Sequence, residues 1–225
     1  MSTAQVIPLR PNLLLAGEAN HRVANHLALL AGLVQTHAAH VGKGQAQLAR
    51  EDVQALLREI AGRVVSVGQL HRRLIDSTPE QALDLGDYLI ESSHALVKSL
   101  SLQDRVGIVH RLEARCVARP EQVQPIALIV GEIIMNAIKH AHPTGIPVEI
   151  VIYCGRTGNG RTLIEIADDG VGFPENFDPA KDGGIGLKLI RQLAASAQAE
   201  LEIESDSLGA RFSLTLPRNH GAPLR

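Results

Sequence analysis

The spacing of apolar residues changes partway along this 225-residue chain. Over residues 12–40, and again over residues 45–76, apolar side chains recur at the three- and four-residue intervals of an amphipathic helix. A glycine-containing turn at residues 42–44 separates the two runs, and Ser77-Thr78-Pro79 ends the second. Further along, helical and strand-like patterns alternate. The chain is therefore predicted to be all-helical at first and α+β afterwards, with the boundary between residues 77 and 100.

The two N-terminal runs predict an antiparallel helical hairpin, because only a short turn joins them. Each helix would be about 45 Å long at a rise of 1.5 Å per residue. A lone hairpin cannot bury both apolar faces, so we expect a homodimer in which two hairpins form a four-helix bundle. The predicted domains are residues 1–80, the hairpin, and residues 81–225, an α+β domain.

Within the second domain the pattern predicts three helices and six strands. The predicted helices span residues 84–100, 120–141 and 185–198, and the predicted strands span 106–112, 116–117, 148–153, 162–167, 201–204 and 211–216.

Composition excludes several classes of function. A formal net charge of −2 provides no electrostatic basis for binding nucleic acid or an anionic membrane. We find neither a signal peptide nor a stretch of eighteen apolar residues, and we expect a cytoplasmic protein.

Cys116 and Cys154 are far apart in sequence and lack CxxC spacing, so reduced, buried thiols are expected.

A stripe of polar side chains lies along one side of the predicted helix over residues 120–141. Glu132, Asn136, Lys139 and His140 share an arc that differs from the apolar arc of the same helix. An amide oxygen and a carboxylate can serve Mg²⁺, which needs only one or two protein oxygens, and the two basic groups can offset phosphate charge. The stripe therefore indicates a site for Mg²⁺-triphosphate. A solvated polar face would look the same in isolation.

Two glycine-containing motifs follow. Asp168-x-Gly170-x-Gly172 comes directly after a predicted strand, and its carboxylate would accept a hydrogen bond from the exocyclic amine of a purine. Gly184-Ile-Gly186-Leu187 opens a predicted helix, whose free N–H groups suit an anion. Each motif alone is also typical of a simple turn. The polar segment over residues 173–183 is predicted to be a mobile lid.

In this order the motifs resemble the N, G1 and G2 boxes of the GHKL superfamily of ATP-binding domains, shared by histidine kinases, DNA gyrase B, MutL and heat-shock-type chaperones. The resemblance covers residues 126–216 and implies a GHKL α/β sandwich that binds ATP. It implies that Asn136 binds Mg²⁺, that Asp168 recognises adenine, and that the turn from Gly184 to Gly186 contacts phosphate. An F box is not evident, although Phe177 lies in the expected interval.

A second resemblance concerns the first helix. Glu18-x-x-His21-Arg22-Val-Ala-Asn25 is similar to the acceptor box of the histidine kinases with a His-Arg-x-x-Asn motif, a group related to the HWE kinases. In that group His21 would be the phosphoacceptor, since an exposed neutral imidazole is nucleophilic near physiological pH. On a helix Glu18 would hold the proton of the other ring nitrogen, and Asn25 would orient a water for hydrolysis. By position alone, His21 is one of ten histidines.

The expected function is that of a sensor-less two-component histidine kinase. It would autophosphorylate His21 from Mg-ATP and pass the phosphoryl group to an aspartate of a response regulator receiver domain. About a dozen residues precede the first helix, so input is expected from a separate sensor protein. Two alternatives have the same general fold: a histidine phosphotransferase with a vestigial ATP site, and a serine kinase of the anti-sigma type.

Overall fold

The computed structural model describes residues 83–113 and 116–218, together with single positions between residues 31 and 64 that lie in helix. The predicted hairpin as a whole, including its turn, lies outside the described residues. No helix in the described part of the chain is long and apolar enough to cross a membrane.

The described C-terminal region contains three helices and seven strands. In chain order they are β1 (Leu83–Asp84), α1 (Gly86–Ser99), β2 (Val106–Leu112), β3 (Val117–Ala118), α2 (Pro120–His140), β4 (Val148–Arg156), β5 (Thr162–Asp168), α3 (Ile185–Ser196), β6 (Glu200–Asp206) and β7 (Gly209–Thr215). All three predicted helices and all six predicted strands are present, although some have different bounds from those predicted. Strand β1, only two residues long, was not predicted.

Five strands form one mixed sheet in the order β2-β4-β5-β7-β6. Strands β2 and β4 are parallel, and helix α2 lies between them in the chain, whereas every other neighbouring pair is antiparallel. A separate two-stranded ribbon pairs β1 with β3. The expected α+β class with an α/β sandwich is therefore observed for residues 83–218.

One face of the sheet is buried beneath the helices. Along β4 the residues Val148, Ile150 and Ile152 are at most 5% exposed, while the intervening Glu149 is exposed. This alternation follows from the two-residue period of a strand. Helix α2 is the central helix of this layer, because its side chains are buried along nearly its full length.

Helix α2 begins where the sequence requires it to begin. Pro120 occupies the first helical position, where a missing N–H costs nothing. Arg119 N–H donates to Gln122 Oε1 over 3.1 Å, and Gln122 Nε2 donates to Ala197 O over 2.9 Å. The buried Gln122 side chain thus joins the start of α2 to the end of α3.

Cys116 and Cys154 are buried as expected, but the expectation that they are reduced is wrong. Cys116 and Cys154 are fully buried and joined as a disulfide, with their Cα atoms 5.7 Å apart. They meet because the parallel pairing places Leu112 opposite Cys154, and Glu113 N–H donates to Cys154 O over 2.8 Å. The pairing of β2 with β4 therefore brings the segment that contains Cys116 next to Cys154.

Candidate nucleotide-binding site

Helix α2 carries the polar stripe at its C-terminal half. Glu132 is only 3% exposed and Asn136 is half-buried, whereas Lys139 and His140 are exposed near the helix end. The Nδ2 group of Asn136 is buried without a hydrogen-bond partner. An unpaired buried amide is costly, so this group is suited to a ligand that would satisfy it.

The first turn of α3 packs directly on this stripe. A β-carbon placed at Gly186 would lie 3.2 Å from Asn136 Oδ1 and 3.2 Å from Glu132 Oε2. A larger residue at this position would therefore crowd the amide oxygen and the carboxylate. The N box and the G2 box, separated by some fifty residues in the chain, are thus in contact.

The N-terminus of α3 is uncapped by any side chain. Gly184 is the N-cap residue with extended backbone, its first turn has no acidic residue, and no side chain bonds the cap. The first N–H groups of a helix have no partner within the helix and carry partial positive charge. The Leu187 side chain is buried in the core and packs against Gly183.

Asp168 ends strand β5 and its carboxylate is held by backbone groups. Asp168 Oδ1 accepts the N–H of Gly170 over 3.0 Å and the N–H of Ala210 over 3.3 Å. Burial is the main cause that raises the pKa of this carboxyl above its ordinary value of 3.8, and the two N–H donors oppose that shift. The group is a partly buried acceptor at the end of a strand, as the sequence indicated.

The turn after Asp168 packs on the end of α2. Val171 N–H donates to Ala141 O over 2.9 Å, and a β-carbon at Gly170 would overlap the backbone of Ala141. The G1 box is therefore joined to the helix that carries Asn136. Contacts between Gly186 and Asn136, and between Gly170 and Ala141, bring all three predicted motifs to one place.

A fourth segment, the turn between β6 and β7 with its flanking residues, also belongs to this site. Gly209 lies against the backbone of Asp168, and Ala210 donates to its carboxylate. Gly172, with φ of +69°, packs against Ser205 and Asp206. A glycine in a β-turn and one serine were the only local signals, and neither indicates a contact forty residues away.

The segment predicted to be a lid is a series of hydrogen-bonded turns. Phe173 and Phe177 stack with centroids 4.7 Å apart, and Phe173 meets Phe212 edge to face at 6.3 Å. Asp178 accepts the N–H of Ala180 over 2.9 Å. Arg191 of α3 donates to two carbonyls, those of Pro179 and Asp182, and so attaches the segment to the helix. Its mobility remains a prediction.

The predicted phosphoacceptor His21 and its predicted partners Glu18 and Asn25 fall outside the residues that the structure describes. Among the residues that the structure does describe, no group of three or more His, Cys, Asp or Glu side chains could hold a metal. Mg²⁺ fits the site nevertheless, because it takes few protein oxygens and Asn136 presents an amide oxygen beside the uncapped helix.

Two family models match the chain. Residues 18–100 match a model described as histidine kinase, and residues 121–220 match the histidine kinase-, DNA gyrase B- and HSP90-like ATPase. The class that these matches indicate is that of histidine kinases: the chain is similar first to a histidine kinase model and then to this ATPase family. The second match includes every residue of the nucleotide site described above.

Sequence relatives agree with this class. Blue-light-activated histidine kinase 2 of Erythrobacter litoralis is 25% identical over 205 residues, which cover 89% of this chain and 56% of the relative. Sensor histidine kinase PdtaS of Mycobacterium tuberculosis is 27% identical over 195 residues, covering 86% and 36% respectively. The chain thus spans about half of the first relative and about a third of the second.

Solved structures share the fold. The histidine kinase domain of the Erythrobacter litoralis EL346 blue-light activated kinase matches with a TM-score of 0.64 at 21% identity, covering 90% of each chain. Acinetobacter baumannii histidine kinase AdeS matches with a TM-score of 0.53 at 15% identity, covering 89% of this chain and 98% of that one.

Proposed function

We propose that this chain is a two-component histidine kinase that phosphorylates His21 from Mg-ATP and passes the phosphoryl group to an aspartate of a response regulator receiver domain. The observation that carries the proposal is the contact of Gly186 with Asn136 and Glu132. It places an uncapped helix N-terminus beside an unpaired amide and a buried carboxylate, which together suit a metal-bound polyphosphate.

Each part of the nucleotide would have its own partner in this site. The Asp168 carboxylate would accept a hydrogen bond from the adenine amine, and the N–H groups that follow Gly184 would donate to phosphate oxygens. Lys139 and His140 would add positive charge near the end of α2. Mg²⁺ held by Asn136 would neutralise charge on the triphosphate.

The chemical step would be an in-line transfer. A ring nitrogen of His21 forms a bond to the γ-phosphorus, the bond from that phosphorus to the β,γ-bridging oxygen breaks, and ADP leaves with the electron pair. Glu18 would take up the proton of the other ring nitrogen, and Asn25 would orient a water for the reverse hydrolysis. Glu132 would hold a water or accept a proton at the nucleotide.

The domain division and the dimer are also proposals. Helix α1 packs with α2 and β2, which supports a division near residue 80, with residues 81–225 forming the ATP-binding domain. Val53, Leu57 and Val64 are exposed in the single chain at 38%, 59% and 52%, and their spacing places them along one side of a helix. These apolar side chains favour a homodimer. A separate sensor protein would supply the input.

The test uses γ-labelled ATP with the full chain, comparing wild type with His21→Ala and Asn136→Ala. We expect acid-labile, alkali-stable label on the wild type alone. Label that persists in His21→Ala would show a different acceptor. If the wild type neither labels nor binds ATP by calorimetry, yet His21 accepts phosphate from a phosphorylated receiver domain, the protein is a histidine phosphotransferase with a vestigial ATP site.

A further inference from the structure

Ser205 connects two turns that meet at the proposed adenine site. Its hydroxyl accepts the N–H of Phe173 over 2.7 Å and donates to Gly209 O over 3.2 Å. A hydroxyl has one proton to donate and lone pairs to accept, so both bonds can form at once. Phe173 follows the glycine turn after Asp168, and Gly209 begins strand β7.

Ser205 is an exposed residue near the end of strand β6. Side chains two residues apart share one face of a strand, and the preceding members of this face, Leu201 and Ile203, pack against the core. Ser205 is the third member and stands opposite Ala210 in the β6–β7 ladder. The apolar face of β6 therefore ends in a hydroxyl at the nucleotide site.

The two turns are in close contact with each other. A β-carbon at Gly172 would overlap Asp206 O, and one at Gly209 would overlap Asp168 O. Ala210, next to Gly209, donates to Asp168 Oδ1. A displacement of the β6–β7 turn would consequently move one of the two N–H groups that orient the Asp168 carboxylate.

We propose that Ser205 is a positioning residue that sets the selectivity of this site for adenine, by holding the β6–β7 turn so that Ala210 orients Asp168. The inference rests on the proposed function, in which Asp168 accepts the adenine amine. Without the hydroxyl, the β6–β7 turn loses its hydrogen bond at Gly209 O, and the start of the lid segment loses the one at Phe173 N–H. The carboxylate then samples more orientations, and a base that lacks the amine is disfavoured less.

The test measures calorimetric affinity of the full chain for Mg-ATP and for Mg-ITP, whose base has a carbonyl oxygen in place of the amine. We expect the wild type to prefer ATP, and Ser205→Ala to reduce the ATP-to-ITP ratio about five- to tenfold, the usual effect of one lost hydrogen bond. Ser205→Thr keeps a hydroxyl and should retain the ratio. Ser207→Ala, an exposed serine of the same turn, is the matched control.

A ratio that is unchanged in Ser205→Ala, with only a lower melting temperature, would reduce Ser205 to a structural role and overturn the inference. A wild type that binds both nucleotides equally would overturn it while leaving ATP use intact. A wild type that binds neither would contradict the proposed function as well. If Ser205→Ala does not fold, the rate of amide hydrogen exchange in the wild type is measured instead. ATP should slow exchange of the Ala210 and Phe173 amides. An unchanged exchange rate would refute the inference.

Discussion

Gly186 lies so close to Asn136 that a β-carbon on the glycine would stand 3.2 Å from the amide oxygen. The relationship joins the first turn of α3 to the C-terminal half of α2. It explains why the sequence needs glycine at a helical position where alanine would otherwise be favoured by about 0.5–1 kcal/mol. The space in front of the Asn136 amide is kept open at the expense of local helix stability.

Gly186→Ala should separate nucleotide binding from folding. The added methyl group would crowd Asn136 Oδ1 and Glu132 Oε2, so we expect ATP affinity to fall at least about tenfold, a loss of roughly 1.4 kcal/mol. The melting temperature should stay level or rise, because alanine is the better helix former. Gly158→Ala, where a β-carbon meets nothing within 4 Å, is the control. Unchanged affinity in Gly186→Ala, measured by calorimetry, would contradict the role of this contact.

Gly209→Ala should destabilise the ATP-binding domain. Gly209 has φ of +134° and abuts Asp168 O, so the variant combines backbone strain with a steric overlap, and we expect a loss of roughly 2–4 kcal/mol. Gly160 also has a positive φ, +79°, but a β-carbon there meets nothing. Gly160→Ala should therefore cost about 1 kcal/mol. If urea denaturation gives the same loss in the free energy of unfolding for Gly209→Ala and Gly160→Ala, the backbone near Asp168 has shifted to relieve the overlap.

Asp168 should make both ATP affinity and stability depend on pH, in opposite directions. Because burial raises the folded-state pKa of this carboxyl above 3.8, the folded protein holds the proton more tightly than the unfolded chain. The stability contributed by this group is therefore present at low pH and is lost as pH rises through the raised pKa. The proposed ATP binding needs the ionised carboxylate. ATP affinity should therefore fall on acidification at a pH where an ordinary aspartate is still ionised.

Asp168→Asn isolates that effect. Asparagine keeps an oxygen for the N–H groups of Gly170 and Ala210 but cannot ionise. Thermal melts across acidic pH should show that the difference in stability between wild type and variant shrinks as pH falls. The variant should bind ATP weakly at every pH. Parallel stability profiles for the two proteins would show that Asp168 does not titrate with a raised pKa.

Gln122 should contribute to stability without affecting nucleotide chemistry. It is 2% exposed, and its amide joins Arg119 N to Ala197 O. Gln122→Ala leaves both backbone groups unsatisfied, and we expect a loss of about 1–3 kcal/mol in the free energy of unfolding. Glu121→Ala, at an exposed position of the same turn, should cost less than about 0.5 kcal/mol. Similar denaturation midpoints for the two variants would refute the assignment.

The long elements of this domain were predictable because their patterns are strong. Helix α2 has an apolar arc along most of its length and a proline at its first position, and its observed bounds differ from the prediction by one residue. Strand β2 was predicted with its observed bounds. The two-residue strand β1 was missed, since so short an element has no period to detect, and its pairing with β3 is decided by distant contacts.

The sequence by itself determined the chemical groups of the nucleotide site and the element that carries each one: Asn136 on a helix, Asp168 after a strand, Gly184 before a helix. Local patterns suffice for this, because periodicity and turn residues act over a few positions. Only the tertiary structure decided that Gly209 and Ala210 lie against Asp168, and that Cys116 meets Cys154. These contacts depend on strand order and register, which the burial of the whole core selects and no local pattern specifies.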